Sequence, residues 1–360
     1  MSVSEHNPIV PDRMQALVLS GVDEFSVQMV DTPEPGPSEV LCRVRAVAIC
    51  GTDVHIIEGK HPGQWPKSYP FIPGHEWSGE VVKVGEVARA FGWQIGDRVA
   101  GTSHAGCGFC RMCRLGRYNL CLNYGNTAVG HRQYGHYSQG AYATYVVHSI
   151  KSVFKMPGSM TDAEGALVDT SSIALWSAKR GRINPGDSVA VVGAGPMGIL
   201  VAQCAFAMGA ARVVMTGSGE RLERSKPFCT DVIDYRAADP IRAILDLYPG
   251  GVDVAIDCAG TKDGITTAIS VTRKGGTAVF TGVPHEPVEL PMQKIVLEEI
   301  DVRGVRANRN TMEEIIPLIE TGRINVKSLV THHYPLTEFA EAYEVFKTRV
   351  DGALKVIVEP

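Results

Sequence analysis

Apolar and polar residues alternate in short runs over the first part of the chain. Residues 14–20, 40–48 and 80–84 are rich in β-branched side chains, and each run is bounded by Gly, Pro or Asp. Runs of this kind are typical of β-strands. The pattern therefore predicts that the chain begins as an all-β domain.

The pattern changes after residue 160. Thr161 and Glu164 form a Thr-x-x-Glu capping box that starts a helix. From there, strands alternate with helical segments of roughly a dozen residues; the strands are predicted at residues 188–192, 212–216, 231–235, 252–257 and 277–282. This alternation predicts a parallel sheet covered by helices, the doubly wound α/β fold. Two more strands are predicted at residues 300–305 and 354–358, and we expect the last one to fold back onto the first domain.

Length and composition narrow the class of protein. With 360 residues, the chain exceeds the ~250 to 300 residues at which a single core stops growing, so two domains with a cleft between them are expected. The net charge is −4, and no block of Lys and Arg is long enough for a nucleic-acid arm or a membrane-surface patch. The expected partner is a small molecule, with no nucleic acid and no membrane.

The chain carries no targeting signal that we recognise. Residues 1–13 are polar and contain Pro8 and Pro11, so they lack the apolar centre of a signal peptide. No apolar run approaches the ~18 residues that span a membrane. We therefore expect a cytoplasmic protein.

Four of the nine cysteines lie together in a stretch without periodicity, between residues 101 and 140. They form a C-x2-C-x2-C-x7-C run: Cys107, Cys110, Cys113 and Cys121. Four thiolates at this spacing match a closed, tetrahedral and therefore structural zinc site, which would hold a loop that has no core of its own. The alternatives are a redox C-x-x-C pair or chance clustering, and neither accounts for four members at such tight spacing.

A second set of metal-binding residue types is scattered along the first domain. Cys50 lies in Ile-Cys-Gly-Thr-Asp, and His75 and Glu76 lie in Pro-Gly-His-Glu. Catalytic zinc takes three protein ligands from Cys, His and carboxylate and leaves one position for water or substrate. Each residue taken alone is more often a core thiol or a hydrogen-bonded imidazole.

A glycine-rich turn follows the first strand of the predicted α/β domain. Its sequence is Val-Gly-Ala-Gly-Pro-Met-Gly, with Gly193, Gly195 and Gly198 between a strand and a helix. In that context the turn is typical of a dinucleotide site, because the glycines permit a tight turn, a close approach of the pyrophosphate and close packing of helix on strand.

Together these motifs resemble the medium-chain zinc-containing dehydrogenases, and most closely their sorbitol and threonine dehydrogenase branch. The resemblance spans nearly the whole chain. It implies a β-rich GroES-like catalytic domain, residues 1–168 and 306–360 with a structural zinc lobe at 101–125, and a Rossmann domain at 169–305. It also implies two zinc ions per chain, NAD or NADP, and a homodimer or homotetramer.

The resemblance implies a ligand set for the catalytic zinc. Cys50 and His75 are implied ligands, and the family places a third on the helix that begins at Thr161, where this sequence offers Asp169. Glu164 is the competing carboxylate, but we interpret it as the capping-box partner. Glu76 is implied to approach the metal, as a fourth ligand or through water.

The resemblance also implies how protons move. A zinc ion makes an alcohol acidic enough to lose its hydroxyl proton at neutral pH. Thr52 is implied to take that proton and to pass it by way of the cofactor ribose to His55. Asp53 is implied to accept the free ring N–H of His75 and so fix its tautomer.

The sequence leaves the preference between NAD and NADP open. Residues implied to contact the cofactor are Gly193, Gly195, Pro196, Met197, Gly198, Gly217, Ser218 and Arg221. The acidic residue that NAD-preferring relatives carry is missing at Gly217, and Arg221 offers a partner for a 2′-phosphate, whereas Glu220 could serve the ribose if the turn folds differently.

The expected function is a zinc-dependent transfer of hydride between a small polar alcohol and NAD(P). Residues 124–140, which include His131, Tyr134, His136 and Tyr137, either border the substrate and favour a polyol, sugar-like or hydroxy-amino acid substrate, or form a subunit contact. The rival hypotheses are a zinc-free reductase or quinone-type enzyme on the same fold and a non-catalytic oligomer that only binds the cofactor.

Overall fold

The computed structural model describes residues 9–60 and 65–360, and the chain divides into two compact units. The first unit is Met1–Asp169 with Val330–Pro360, and the second is Thr170–Leu329. No helix in the described ranges has the length and apolarity that crossing a lipid bilayer requires.

The strands are numbered along the chain. They are β1 Arg13–Gly21, β2 Glu24–Asp31, β3 Glu39–Ala48, β4 Glu76–Val84, β5 Arg98–Gly101, β6 His104–Ala105, β7 Arg132–Gln133, β8 Tyr145–Ser149, β9 Val153–Lys155, β10 Ser188–Val192, β11 Arg212–Gly217, β12 Asp231–Asp234, β13 Val252–Asp257, β14 Thr272–Phe280, β15 Asp301–Gly304, β16 Val330–Pro335 and β17 Lys355–Glu359.

The α-helices are numbered in the same way. They are α1 Gly51–Ile57, α2 Glu86–Ala90, α3 Arg111–Arg114, α4 Asp162–Ala166, α5 Val168–Gly181, α6 Pro196–Ala207, α7 Gly219–Ser225, α8 Pro240–Leu247, α9 Lys262–Val271, α10 Met292–Leu297, α11 Met312–Glu320 and α12 Phe339–Thr348. Short 3-10 turns lie at Tyr118–Leu120, Thr127–Val129, Lys226–Phe228, Lys327–Leu329, Leu336–Glu338 and Val350–Gly352.

The first unit is built on a mixed sheet in the order β16-β17-β3-β4-β5-β9, with β8 paired to β3. Strands β3 and β4 are antiparallel, and Ala48 lies opposite Glu76. Cys50 follows the end of β3 and His75 precedes the start of β4, so the pairing brings two sequence-distant residues side by side. Strand β17 pairs with the same end of β3, with Ile357 opposite Ala48.

The second unit is a parallel sheet in the order β12-β11-β10-β13-β14-β15. Its central strand β10 is a continuous apolar run because helices cover both faces of a parallel sheet. The strand order reverses at β10, and the glycine-rich turn follows that strand, which is the ligand-binding position of doubly wound sheets. The predicted α/β fold of this unit is confirmed.

The domain boundaries in the structure differ in part from the predicted ones. Strand β17 joins the first unit, as expected, but residues 306–329 belong to the second unit. The reason is local packing: the Thr311 hydroxyl donates to the Ser172 carbonyl over 2.8 Å, and the Asn325 N–H donates to the Gln203 side chain over 2.6 Å. The return to the first unit therefore comes at Val330 and not at residue 306.

Candidate active site

Among the residues that the structure describes, two groups of side chains have the geometry to hold a metal ion. The ligand atoms of each group lie within 4.8 Å of one another. One group is Cys107, Cys110, Cys113 and Cys121, and the other is Cys50, His75 and Glu76. Both groups lie in the first unit.

The distances between sulfur atoms of the first group match those around a tetrahedral zinc ion. The Sγ atoms of Cys107 and Cys113 are 3.9 Å apart, as are those of Cys110 and Cys121. Four zinc–sulfur bonds of ~2.3 Å in a tetrahedron separate the sulfurs by ~3.8 Å. The observed spacing therefore fits a tetrahedral zinc site.

Hydrogen-bond donors surround the sulfur of Cys107. The backbone N–H of Cys110 donates to it over 3.4 Å and the side-chain amide of Asn123 over 3.3 Å. Burial alone would raise the pKa of Cys107, but the backbone amides of Cys110 and Phe109 and the side chain of Asn123 outweigh it and lower that pKa to about 6. The thiolate, which is the form that binds zinc, is therefore favoured at neutral pH.

The second group is placed by the ends of two strands and the start of a helix. Cys50 is the N-cap of α1, and its backbone N–H donates to the Asp53 carboxylate over 2.9 Å. Asp53 is fully buried, and its other oxygen lies 3.2 Å from His75 Nδ1. The carboxylate therefore holds the backbone of one candidate ligand and faces the ring of another.

His75 is buried among charged neighbours. Burial alone would lower the pKa of His75, but the Asp53 carboxylate and the Cys50 side chain raise it well above its usual range. Because a metal binds the neutral imidazole, a cation at this site must compete with that proton.

Glu76 forms a buried ion pair that the sequence analysis missed. Its Oε2 atom contacts Lys355 Nζ, and the two residues are only 2% and 3% exposed. Burial alone would lower the pKa of Lys355, but the charge of Glu76 outweighs it and raises that pKa. The sequence signal was a lysine at the start of the apolar strand β17.

Asp169 lies buried near this group but outside it. It is 1% exposed, and the Thr102 hydroxyl donates to its carboxylate over 2.5 Å. Burial, opposed mainly by that hydrogen bond, raises the pKa of Asp169 to about 6. Glu164 instead caps α4 with Thr161, which confirms its predicted role in the capping box.

The segment of residues 124–140 contributes one ring to the neighbourhood of the candidate ligands. The ring centroid of His136 lies 4.8 Å from that of His75, and Trp65 packs edge-on against His136 at 4.7 Å. Tyr134 instead stacks on His148 at 3.6 Å. The sequence could not show which of these rings faces the site, because that depends on how the loop folds.

The glycine-rich turn in the second unit has the predicted shape. Gly193 has φ of +111°, which only glycine adopts readily. A Cβ atom at Gly198 would lie 1.9 Å from the Gly193 carbonyl oxygen, whereas one at Gly195 would meet only Arg221 Nη1 at 4.0 Å. Pro196 and Met197 begin α6. Close packing is thus required at Gly198, and Gly195 keeps open space above the turn.

The end of β11 has no room for an acidic side chain. A Cβ atom at Gly217 would lie 2.4 Å from the Cβ of Ala194. The Ser218 hydroxyl donates to the Tyr235 hydroxyl over 2.8 Å. Glu220 accepts a 2.7 Å hydrogen bond from Arg224 on the same helix, so its carboxylate already has a cationic partner.

The sequence is similar to two known protein families and to curated relatives. Residues 36–158 match the alcohol dehydrogenase GroES-like domain family and residues 196–321 the zinc-binding dehydrogenase family. Sorbitol dehydrogenase of Mus musculus is 34% identical over 352 residues, covering 96% of this chain and 95% of that protein. Sorbitol dehydrogenase of Bacillus subtilis (strain 168) is 33% identical over 357 residues, covering 98% of each.

Solved structures show the same fold. A zinc-binding dehydrogenase of Sinorhizobium meliloti 1021 bound to NADP superposes with a TM-score of 0.88 at 32% identity, covering 97% of this chain and 100% of that one. The 2R,3R-butanediol dehydrogenase of Bacillus subtilis has a TM-score of 0.86 at 27% identity, covering 96% and 99%.

The chain therefore belongs to the zinc-binding alcohol dehydrogenase family, as an oxidoreductase that uses zinc and NAD or NADP. Within that family it falls in the sorbitol dehydrogenase-like branch.

We predict that Cys110→Ser removes one zinc ion per chain and loosens the segment between residues 107 and 121. Structural zinc supplies much of the folding free energy of such lobes, and the large side chains of Phe109 and Leu115 are exposed here. Zinc analysis and limited proteolysis measure the two effects. Cys229→Ser, in the second unit, is the control, and unchanged protease resistance of Cys110→Ser would contradict the prediction.

We predict that Lys355→Met lowers the free energy of unfolding by ~3 to 5 kcal/mol, because it leaves the Glu76 carboxylate buried without its cation. Denaturant unfolding measures the change. Adding Glu76→Gln to Lys355→Met should recover part of the loss, since the orphaned charge is then gone. The control is Lys347→Met, which removes a surface partner of Glu58; an equal loss in the control would argue against a buried-charge effect.

Proposed function

We propose that this enzyme oxidises a hydroxyl group of a small polyol at a zinc ion bound by Cys50, His75 and a carboxylate from Glu76 or Asp169. The observation that carries the proposal is the convergence of the Cys50, His75 and Glu76 ligand atoms within 4.8 Å. A thiolate, an imidazole and a carboxylate are a donor set that suits catalytic zinc.

The two carboxylates differ in their surroundings. Glu76 belongs to the converging group but shares its charge with Lys355. Asp169 lies outside that group, and a hydroxyl donor at Thr102 holds its carboxylate. Glu76 is therefore the geometric candidate for the third ligand, and Asp169 remains the candidate implied by the family resemblance.

The two sets of donor atoms each fit a zinc ion. A second zinc ion, held by Cys107, Cys110, Cys113 and Cys121, would be structural because all four positions come from the protein. At the catalytic site, a bound zinc ion would act as a Lewis acid that makes the substrate hydroxyl more acidic, and a bound nicotinamide would accept the hydride.

The first helix of the catalytic unit supplies the proton path. Thr52 and His55 are three residues apart on α1 and so lie on one face of the helix. We assign the Thr52 hydroxyl to accept the hydroxyl proton of the substrate as it gives up its own proton, and His55 to take that proton onward. Asp53, between them in sequence, faces His75 Nδ1 at 3.2 Å and would fix the orientation of the imidazole.

The substrate class is inferred from the relatives and from one wall of the site. The relatives named above are sorbitol dehydrogenases, and one solved neighbour is a butanediol dehydrogenase. Beside His75, the His136 Nδ1–H donates to the Tyr134 carbonyl over 2.9 Å, and Trp65 packs edge-on against the His136 ring. A polar ring next to a metal ligand suits a substrate with more than one hydroxyl group.

We predict that Cys50→Ser abolishes oxidation of polyols and lowers the zinc content from two ions to one per chain, while circular dichroism stays native. The ligand is lost but the four-cysteine lobe keeps its zinc. Cys229→Ser is the control and should keep both ions. A Cys50→Ser enzyme that still turns over, in a screen of polyols, sugars, diols and hydroxy-amino acids, would support a zinc-free reductase instead.

We further propose that the enzyme prefers NADP. Gly217 excludes the carboxylate that would bind the ribose hydroxyls of NAD, and Glu220 is paired with Arg224. Arg221 lies beside the glycine-rich turn, with Nη1 at 4.0 Å from the position of a Gly195 Cβ. A guanidinium there suits a 2′-phosphate.

We predict that Arg221→Ala lowers kcat/KM for NADP by ~10- to 100-fold and changes kcat/KM for NAD by less than ~3-fold, the range for losing a charge-assisted hydrogen bond. Steady-state kinetics with both cofactors measures the ratio. Arg242→Ala, which removes an exposed arginine on α8 of the same unit, is the control. If Arg221→Ala leaves the ratio of kcat/KM for NADP to kcat/KM for NAD unchanged, Arg221 does not bind the 2′-phosphate.

A further inference from the structure

The Asp53 carboxylate has a third neighbour that belongs to none of the motifs discussed above. The Tyr142 hydroxyl donates to Asp53 Oδ2 over 2.9 Å. The same oxygen accepts the Cys50 N–H over 2.9 Å, and the other oxygen faces His75 Nδ1 at 3.2 Å. One carboxylate therefore links a tyrosine to both candidate zinc ligands.

Two donors on one oxygen fix the plane of the carboxylate. A carboxylate can rotate about its last side-chain bond, since torsions of this kind are broad. With the Tyr142 hydroxyl and the Cys50 N–H both on Oδ2, rotation would break two hydrogen bonds. Oδ1 is therefore held toward His75, and the orientation of the imidazole depends on donors on the far side of Asp53.

Asp53 also needs these donors because it is buried. Its exposure is 0%, and burying an ionised carboxylate is costly unless it is paired and hydrogen-bonded. Removing a donor from a buried charged group costs more than removing one from a neutral group. The Tyr142 hydroxyl is therefore part of what keeps Asp53 in place beside His75.

The ring of Tyr142 is held so that its hydroxyl has little freedom. Tyr142 is fully buried, and its ring packs edge-on against Phe339 at 4.8 Å. Its backbone N–H donates to the Pro73 carbonyl over 3.1 Å. At Gly74, with φ of +95°, a Cβ would lie 2.8 Å from the Tyr142 ring, so the residue just before His75 is packed onto that ring.

Tyr142 stays a hydrogen-bond donor at neutral pH. Burial, with the nearby Asp53 charge, raises the pKa of Tyr142 well above its usual range. The phenol is thus protonated, and its proton has the Asp53 carboxylate as acceptor.

We propose that Tyr142 is a positioning residue for the catalytic zinc, whose hydroxyl orients Asp53 and through it His75 and Cys50. The proposal rests on the ligand set assigned under Proposed function. Partners behind a metal ligand typically change metal affinity by ~10- to 100-fold when they are removed. Tyr142 would then set zinc affinity without touching metal or substrate.

The test compares zinc affinity in Tyr142→Phe and wild-type holoenzyme by competition with a chelator of known affinity. Phe keeps the packed ring and removes only the hydroxyl. We expect the zinc ion that Cys50→Ser eliminates to bind ~10- to 100-fold more weakly in Tyr142→Phe. The matched control is Tyr145→Phe, which removes the phenol hydroxyl of another buried tyrosine that accepts a 3.4 Å hydrogen bond from Arg43, and we expect less than ~3-fold change.

A double-mutant cycle separates a positioning role from general destabilisation. If Tyr142 acts through Asp53, adding Tyr142→Phe to Asp53→Asn should cause no further loss of zinc affinity. An additive loss, or wild-type affinity in Tyr142→Phe, would overturn the proposal while leaving the ligand set intact. If Cys50→Ser keeps both zinc ions, the ligand set itself fails, and the inference on Tyr142 fails with it.

Discussion

The catalytic unit depends on the pairing of β3 with β4, which places buried charges from distant stretches of the chain in one small volume. Ala48 opposite Glu76 brings Cys50 beside His75, and β17 on the other edge of β3 adds Lys355. A shift of one residue in this pairing would turn every side chain to the opposite face of the sheet. The register is therefore what creates the metal-binding geometry.

This pairing also sets an electrostatic requirement. In the described part of the chain, three buried carboxylates lie close to Cys50 and His75: Asp53, Glu76 and Asp169. Lys355 offsets one negative charge through its contact with Glu76, and hydrogen bonds from Tyr142 and Thr102 support the other two. Buried carboxylates without cations are unfavourable. An excess of negative charge beside a thiol and an imidazole stabilises a divalent cation. The fold creates this charged environment before any metal binds.

Features that are local in sequence could be predicted, and those that depend on distant pairing could not. The cysteine spacing from Cys107 to Cys121 and the turn from Gly193 to Gly198 each lie in one short segment, so their chemistry follows from spacing alone. The ion pair of Glu76 with Lys355 joins residues 279 positions apart, and Tyr142 reaches Asp53 across 89 positions. Neither contact leaves a periodic signal, because each is made by one side chain. The domain boundary at Val330 was predicted too early in the chain for the same reason. Helix α11 belongs to the second unit because of its packing, and its sequence pattern does not show which unit it joins.

The two candidate metal sites are stabilised by different means, and this difference explains why one is local in sequence and the other is not. Around Cys107–Cys121, Phe109 is 82% and Leu115 55% exposed, so these large apolar side chains add little to a core, and bonds to a metal would supply stability in its place. A site of this kind needs all its ligands within a short segment that can close on the ion. At Cys50 and His75 the surroundings are the reverse, because Trp77, Tyr142 and Phe339 form a packed core around the ligands. There the packed core holds Cys50 and His75 without a metal, so the candidate ligands can come from distant strands. A zinc ion held by three protein ligands would keep a position for substrate that a closed cysteine cage would not leave.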